Sequence, residues 1–201
     1  MNDELICDTP PGADRRLVLL HGWGADADDL IPLGRELCEG VEKPVELVAL
    51  RAPHPHPQGV GRQWYGLFPT EFAAIPLAIS QLKDRLKAIE TADIPLQRTA
   101  LLGFSQGGAM AMACGCELPF AGLIGCSAYP HSNWSPANIR PPVLLLHGLQ
   151  DDIVPAKASE QLLHAMQNSP IKAEMLTFSG GHGIPGELIP RMQQRLNDWF
   201  L

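Results

Sequence analysis

What most constrains the fold is a repeated pairing of short apolar runs with longer amphipathic ones. Runs at 16–20, 45–50, 99–104, 120–126, 143–147 and 173–178 read as strands. Several alternate too little for a strand with one solvated face, so burial on both faces is expected. Between them lie helical patterns. Ile79, Leu82, Leu86 and Ile89 recur at helical spacing, with Lys83, Asp84, Arg85 and Lys87 among them. Residues 28–38, 106–117, 157–167 and 187–200 are the other helix candidates. Strands alternating with helices form βαβ units, which predicts an α/β fold: a mostly parallel sheet with helices on both faces. Ligands of such sheets sit beyond the carboxyl ends of the strands. The chemistry should therefore lie in the residues that follow each strand.

A length of 201 residues suits one domain, 1–201. Gly and Pro, 19 of each, are nowhere dense enough for an interdomain linker, and no internal repeat is visible. The net charge is −7 and no dense Lys/Arg block occurs, which argues against nucleic acid and anionic membrane surfaces as partners. No apolar run approaches the ~18 residues of a membrane span, so stable membrane anchoring is not expected. The acidic start, MNDELICDTPPGAD, lacks the basic and apolar segments of a secretory signal and favours a cytoplasmic location. Five cysteines, Cys7, Cys38, Cys114, Cys116 and Cys126, are an odd number with a CxC but no CxxC. They read as reduced, mostly buried thiols.

Glycine, serine, histidine and aspartate collect after the strands. LHGWGAD (20–26) follows the first, GFSQGG (103–108) the third, HGLQDDIVP (147–155) the fifth and SGGHGIP (179–185) the sixth. In GFSQGG the serine must project beyond the sheet, which a sharp strand-to-helix turn achieves. Gly103 and Gly107 remove the clashing Cβ atoms, and the strain falls on Ser105. A helix starting there favours developing negative charge. Ser105 is thus the candidate nucleophile, and His182, in a glycine-flanked loop, the candidate base. Among the other histidines, His21 and His147 begin HG pairs and read as packing or loop hydrogen bonds. His54 and His56, in PHPHP, read as an exposed extended loop without Cys or carboxylate at ligand spacing, so no metal is expected. His131 and His164 read as surface positions. The acid is Asp151 or Asp152, and the residues alone do not choose. A tetrahedral oxyanion needs two N–H donors. Gln106, after the nucleophile, offers one, and Trp23, in the glycine-relaxed turn after the first strand, is the candidate for the other.

Together these motifs resemble the phospholipase/carboxylesterase family of α/β-hydrolases, which includes small carboxylesterases and acyl-protein thioesterases. LHGWGAD is similar to the family's LHG-x-G-D oxyanion segment, and GFSQGGAMA to its nucleophile elbow. HGLQDDIVP resembles HG-x-x-D-x-x-VP, which places the family's acid on Asp151. GGHGIP places the base on His182. RQWYGLF (62–68) stands where the family often has an RxWFD-like segment, but lacks the aspartate. The segment 127–142, near where larger relatives carry a lid, is short, so no large lid domain is expected. Trp64, Tyr65, Phe68, Trp134, Ile184 and Pro185 are the candidates to line the pocket.

The expected activity is hydrolysis of a small carboxylic ester through an acyl-serine intermediate, with thioesters and lysophospholipids as further candidate substrates and no cofactor. Two alternatives are a ligand-binding relative without turnover and an acyltransferase in which an alcohol replaces water. Retention of candidates for all three triad members argues against the first. An open pocket argues against the second, because transfer needs water excluded.

Overall fold

All six expected strands form, and a seventh joins them. The computed structural model describes residues 4–136, 141–167, 169 and 171–201. Its strands are β1 (Glu4–Asp8), β2 (Arg15–Leu20), β3 (Val45–Leu50), β4 (His54–Pro55), β5 (Arg62–Gln63), β6 (Thr99–Phe104), β7 (Gly122–Cys126), β8 (Val143–Gly148) and β9 (Ala173–Phe178). The helices are α1 (Ile31–Glu39), α2 (Ile75–Ala88), α3 (Gln106–Gly115), α4 (Lys157–Gln167) and α5 (Ile189–Trp199). The main sheet runs β1-β3-β2-β6-β7-β8-β9, while β4 and β5 form a separate two-stranded ribbon. Only β1, at the edge, is antiparallel to its neighbour. The sequence gives no periodic signal for β1; pairing with β3 makes it a strand.

Burial on both faces explains the weak alternation. Leu17 and Leu19 of β2 face one core cluster, with Leu37 of α1 and Met192 and Leu196 of α5. Val18 and Leu20 face the other, with Leu82 of α2, Met110 of α3 and Leu162 of α4. Each buried leucine contributes about 1.5–3 kcal/mol relative to exposure. Helix α3 is buried along all ten of its residues, QGGAMAMACG. Its small side chains let it lie close across the middle of the sheet. Helices α1, α2 and α5 each carry proline in the first turn (Pro32, Pro76, Pro190), where the missing N–H costs nothing.

The strand order sets the site. From β2 the chain passes through α1 to β3 on one side, then returns through α2 to β6 on the other. Between β2 and β6 the connections diverge, and a crevice opens beyond their carboxyl ends. The segment expected to be too short for a lid includes residues 137–140, which lie outside the described residues.

Candidate active site

One residue turns β6 into α3. Ser105 takes φ 53° and ψ −117°, a conformation that non-glycine residues hold only under strain. Its N–H donates to Cys126 O at 2.9 Å, which fixes the turn to β7. A Cβ on Gly103 would lie 2.2 Å from Gly107 O, and one on Gly107 would lie 2.2 Å from Leu20 O. The missing side chain at Gly103 lets α3 turn back close to β6, and the one at Gly107 lets the elbow approach the end of β2.

The N–H groups of Trp23 and Gln106 donate to no other group among the described residues. Trp23, Ser105 and His182 line one cavity of about 550 Å³, whose walls include Leu67, Phe68, Tyr129, Ile153 and Val154. His182 also borders a smaller recess of about 310 Å³, with Phe104, Leu30, Leu33 and Ile184. Its ring rests against Phe104, centroids 4.8 Å apart. Nδ1–H of His182 donates to Asp151 Oδ2 at 2.7 Å, which leaves Nε2 as the ring's proton acceptor. No hydrogen bond joins Ser105 to His182 among the described residues; catalytic hydrogen bonds of this kind commonly tighten only in the complex with substrate. Gly148 admits the histidine loop: a Cβ there would sit 2.4 Å from both Gly180 O and Gly181 O.

Between the two aspartates the geometry discriminates. Asp151 is buried against His182, while Asp152 is exposed. Burial pushes the Asp151 carboxyl up. Hydrogen bonds from His182, the Val154 N–H, the Ser127 hydroxyl and the Ile153 N–H outweigh that and hold it below the usual carboxylate range. The contacts are 2.8 Å from Ser127 Oγ, 2.8 Å from Val154 N and 3.0 Å from Ile153 N. Buried His147 braces the same loop through Val154 O and Ser159 Oγ, each at 2.7 Å. Ser127 was missed from sequence, although it follows β7 at the same edge as the other motifs. Inspecting the residues after the fourth apolar run would have found it.

Several expected pocket residues lie elsewhere. Trp64 is 1% exposed, and its indole donates to His21 O at 2.9 Å. Tyr65 is 2% exposed and bonds Tyr129 and His131. Neither is among the described residues lining the larger cavity. Instead they join the two halves of the site. The Gln106 side chain accepts from Trp64 N–H at 3.0 Å and donates to Tyr65 O at 2.9 Å. On the other side, Gly24 N–H donates to Arg62 O at 2.9 Å and Trp23 Nε1 to Gln63 Oε1 at 2.9 Å. Segment 61–65 therefore ties the Trp23 turn to the elbow. Trp134 packs partly buried against the core, outside the cavity, and Ile184 lines only the smaller recess. Pro185 is in neither set of described lining residues. Phe68 alone of the six lines the larger cavity, and it is 74% exposed.

Two histidines are also relocated. His56 is buried with its ring edge-on to Trp23, centroids 4.1 Å apart, and His131 is buried beside Tyr65. The prolines around His56 suggested an exposed loop and His131 read as a surface position, but aromatic partners brought by the fold cover both. His54 and His164 are exposed. Among the described residues, no three His, Cys, Asp or Glu side chains come together in a form that could hold a metal ion.

A strained serine at the head of a parallel-sheet crevice, beside a histidine bonded to a buried aspartate, defines the α/β-hydrolase class of fold. The profile of the Phospholipase/Carboxylesterase family matches residues 2–200, and the chain belongs to that family. It is similar to the solved structure of esterase PE8: 30% identity, TM-score 0.82, covering 97% of this chain and 96% of that one. The Bacillus cereus carboxylesterase shares the fold at 18% identity, with TM-score 0.83 over 98% of this chain and 94% of that one. Acyl-protein thioesterase 1 of Gibberella zeae is 30% identical over 112 residues, 50% of this chain and 47% of the relative. The match thus spans about half the length of that curated relative.

Proposed function

We propose that this chain is a serine hydrolase that cleaves carboxylic esters, and thioesters of similar shape, through an acyl-serine intermediate. The observation that carries the reading is the strained Ser105, which shares one cavity with Trp23 and His182. The acyl chain enters the larger, apolar cavity. His182 Nε2 takes the Ser105 proton as the hydroxyl attacks the carbonyl carbon. Asp151 holds the imidazole tautomer and stabilises the imidazolium. The N–H groups of Trp23 and Gln106 receive the oxyanion. His182 then protonates the leaving alcohol or thiol, which departs towards the smaller recess. Water, deprotonated by His182, attacks the acyl carbon and frees Ser105.

Cys114, Cys116 and Cys126 are buried, and burial pushes the last two up to about 12, which disfavours them as nucleophiles. Buried reduced thiols support a reducing compartment, the cytoplasm. Among the described residues, no helix is long and apolar enough to cross a membrane.

The test is a fluorophosphonate probe combined with p-nitrophenyl esters of increasing chain length and an acyl thioester. The probe should label one serine, Ser105→Ala should lose both labelling and turnover, and labelling mapped to another serine would overturn the assignment.

A further inference from the structure

Tyr129 is an unusual wall residue. Among the described residues lining the larger cavity, the other polar side chains are Ser105, His182 and Trp23, whose indole N–H is engaged by Gln63. Behind Tyr129 runs a chain of buried polar groups. Its hydroxyl lies 2.9 Å from the Tyr65 hydroxyl, which lies 3.0 Å from His131 Nε2. His131 is 9% exposed, and its Nδ1 is buried with no hydrogen-bond partner among the described residues. The Gln106 bond to Tyr65 O keeps this relay in register with the elbow.

The direction of the relay follows from the orphaned atom. Burial pushes His131 down to about 4, so near neutral pH the ring carries one N–H. With the hydrogen on Nδ1, a buried N–H donor would lack an acceptor, which is the rarer and costlier kind of orphan. With it on Nε2, only a lone pair is left unpartnered. Nε2–H then donates to Tyr65, and Tyr65 O–H donates to Tyr129. The Tyr129 proton then has no acceptor left within the relay, and Tyr129 is the member of the relay that lines the cavity.

We propose that the Tyr129 hydroxyl donates a hydrogen bond to the bound acyl group, so that the site selects acyl chains bearing an acceptor oxygen over all-carbon chains. The inference rests on the hydrolase reading above and adds the substrate class. An aliphatic chain packed over Tyr129 would strip water from a donor and offer nothing in return, whereas an ether, keto or hydroxyl oxygen would satisfy it.

The test uses the purified full chain and p-nitrophenyl hexanoate. Beside it stand three isosteres with one methylene replaced by an ether oxygen at chain position 3, 4 or 5. Values of kcat/KM are normalised to each ester's hydroxide-catalysed rate, which removes intrinsic reactivity. At one position the wild-type protein should favour the oxygen-containing ester ~10-fold or more. Tyr129→Phe should erase that preference, and Tyr65→Phe, which breaks the relay but keeps the Tyr129 hydroxyl, should weaken it. Turnover with a flat normalised series in the wild-type protein overturns this inference alone. Absence of both turnover and Ser105 labelling overturns it together with the hydrolase reading.

Discussion

Asp151 and Asp152 are adjacent, chemically identical and one peptide apart, yet the structure gives them different environments. Asp151 is buried and receives four hydrogen bonds, one of them from His182. Asp152 is exposed. Asparagine at 151 keeps the shape but can hold the imidazole in the tautomer that cannot accept from Ser105. A loss of up to ~10⁴-fold in kcat is expected, by analogy with other serine triads. Asp152→Asn should stay near wild type. The check is kcat for both variants on one ester, with thermal melts showing that both fold. The reverse pattern would move the acid by one residue. Only the family spacing of HGLQDDIVP points to Asp151; the residue types themselves do not separate the two, because a carboxylate's role depends on donors from Ser127 after β7, the β8 loop and the histidine loop.

At the level of elements, the nucleophile turn depends on backbone approach. Gly107 would place a Cβ against two carbonyl oxygens of the β2 end, Leu20 O at 2.2 Å and His21 O at 2.5 Å. Backbone atoms on β2 cannot swing away as a side-chain tip can. Gly107→Ala should therefore cost ~3 kcal/mol or more and lower Tm by ~10 °C in a domain of this size. Gly186→Ala is the control, since a Cβ there meets nothing within 4 Å, and its melt should stay within about 2 °C of wild type. Calorimetry of the two variants checks this, and equal melts would mean that the elbow relaxes freely. The requirement for glycine at 103 and 107 was legible because a sharp strand-to-helix turn is a local, few-residue problem. The bracing of that turn was not. Gln106 looks from sequence like a backbone donor only, but its side chain also holds Trp64 and Tyr65 in place.

For the molecule as a whole, buried neutral histidine sets a direction to acid stability. His131 titrates near 6.5 when unfolded and at about 4 when folded. Between those pH values the unfolded chain binds a proton that the folded chain refuses, so stability falls as pH drops through the window. The expected loss is about 3 kcal/mol. Asp151 adds to it lower down, because its depressed carboxyl stabilises the fold above the usual carboxylate range and that contribution fades as pH falls through its folded pKa. Urea unfolding of wild type and His131→Gln from pH 7 to pH 4 tests the histidine part. The variant should lose less stability, and parallel curves would rule His131 out as the cause. Alternating apolar runs and helical patterns determined six strands, a parallel sheet and the edge at which Ser105, Asp151 and His182 could meet. Those are consequences of local periodicity and of the one-handed connection of βαβ units. Tertiary packing decided the rest. It added β1 through edge pairing, supplied the donors that bury and hold Asp151, and buried His131. It also turned Trp64 and Tyr65 from expected pocket walls into the struts beneath the site. An aromatic ring is equally suited to core or cavity, and which of these it meets depends on what the distant segments 78–85, Gln106 and Tyr129 bring against it.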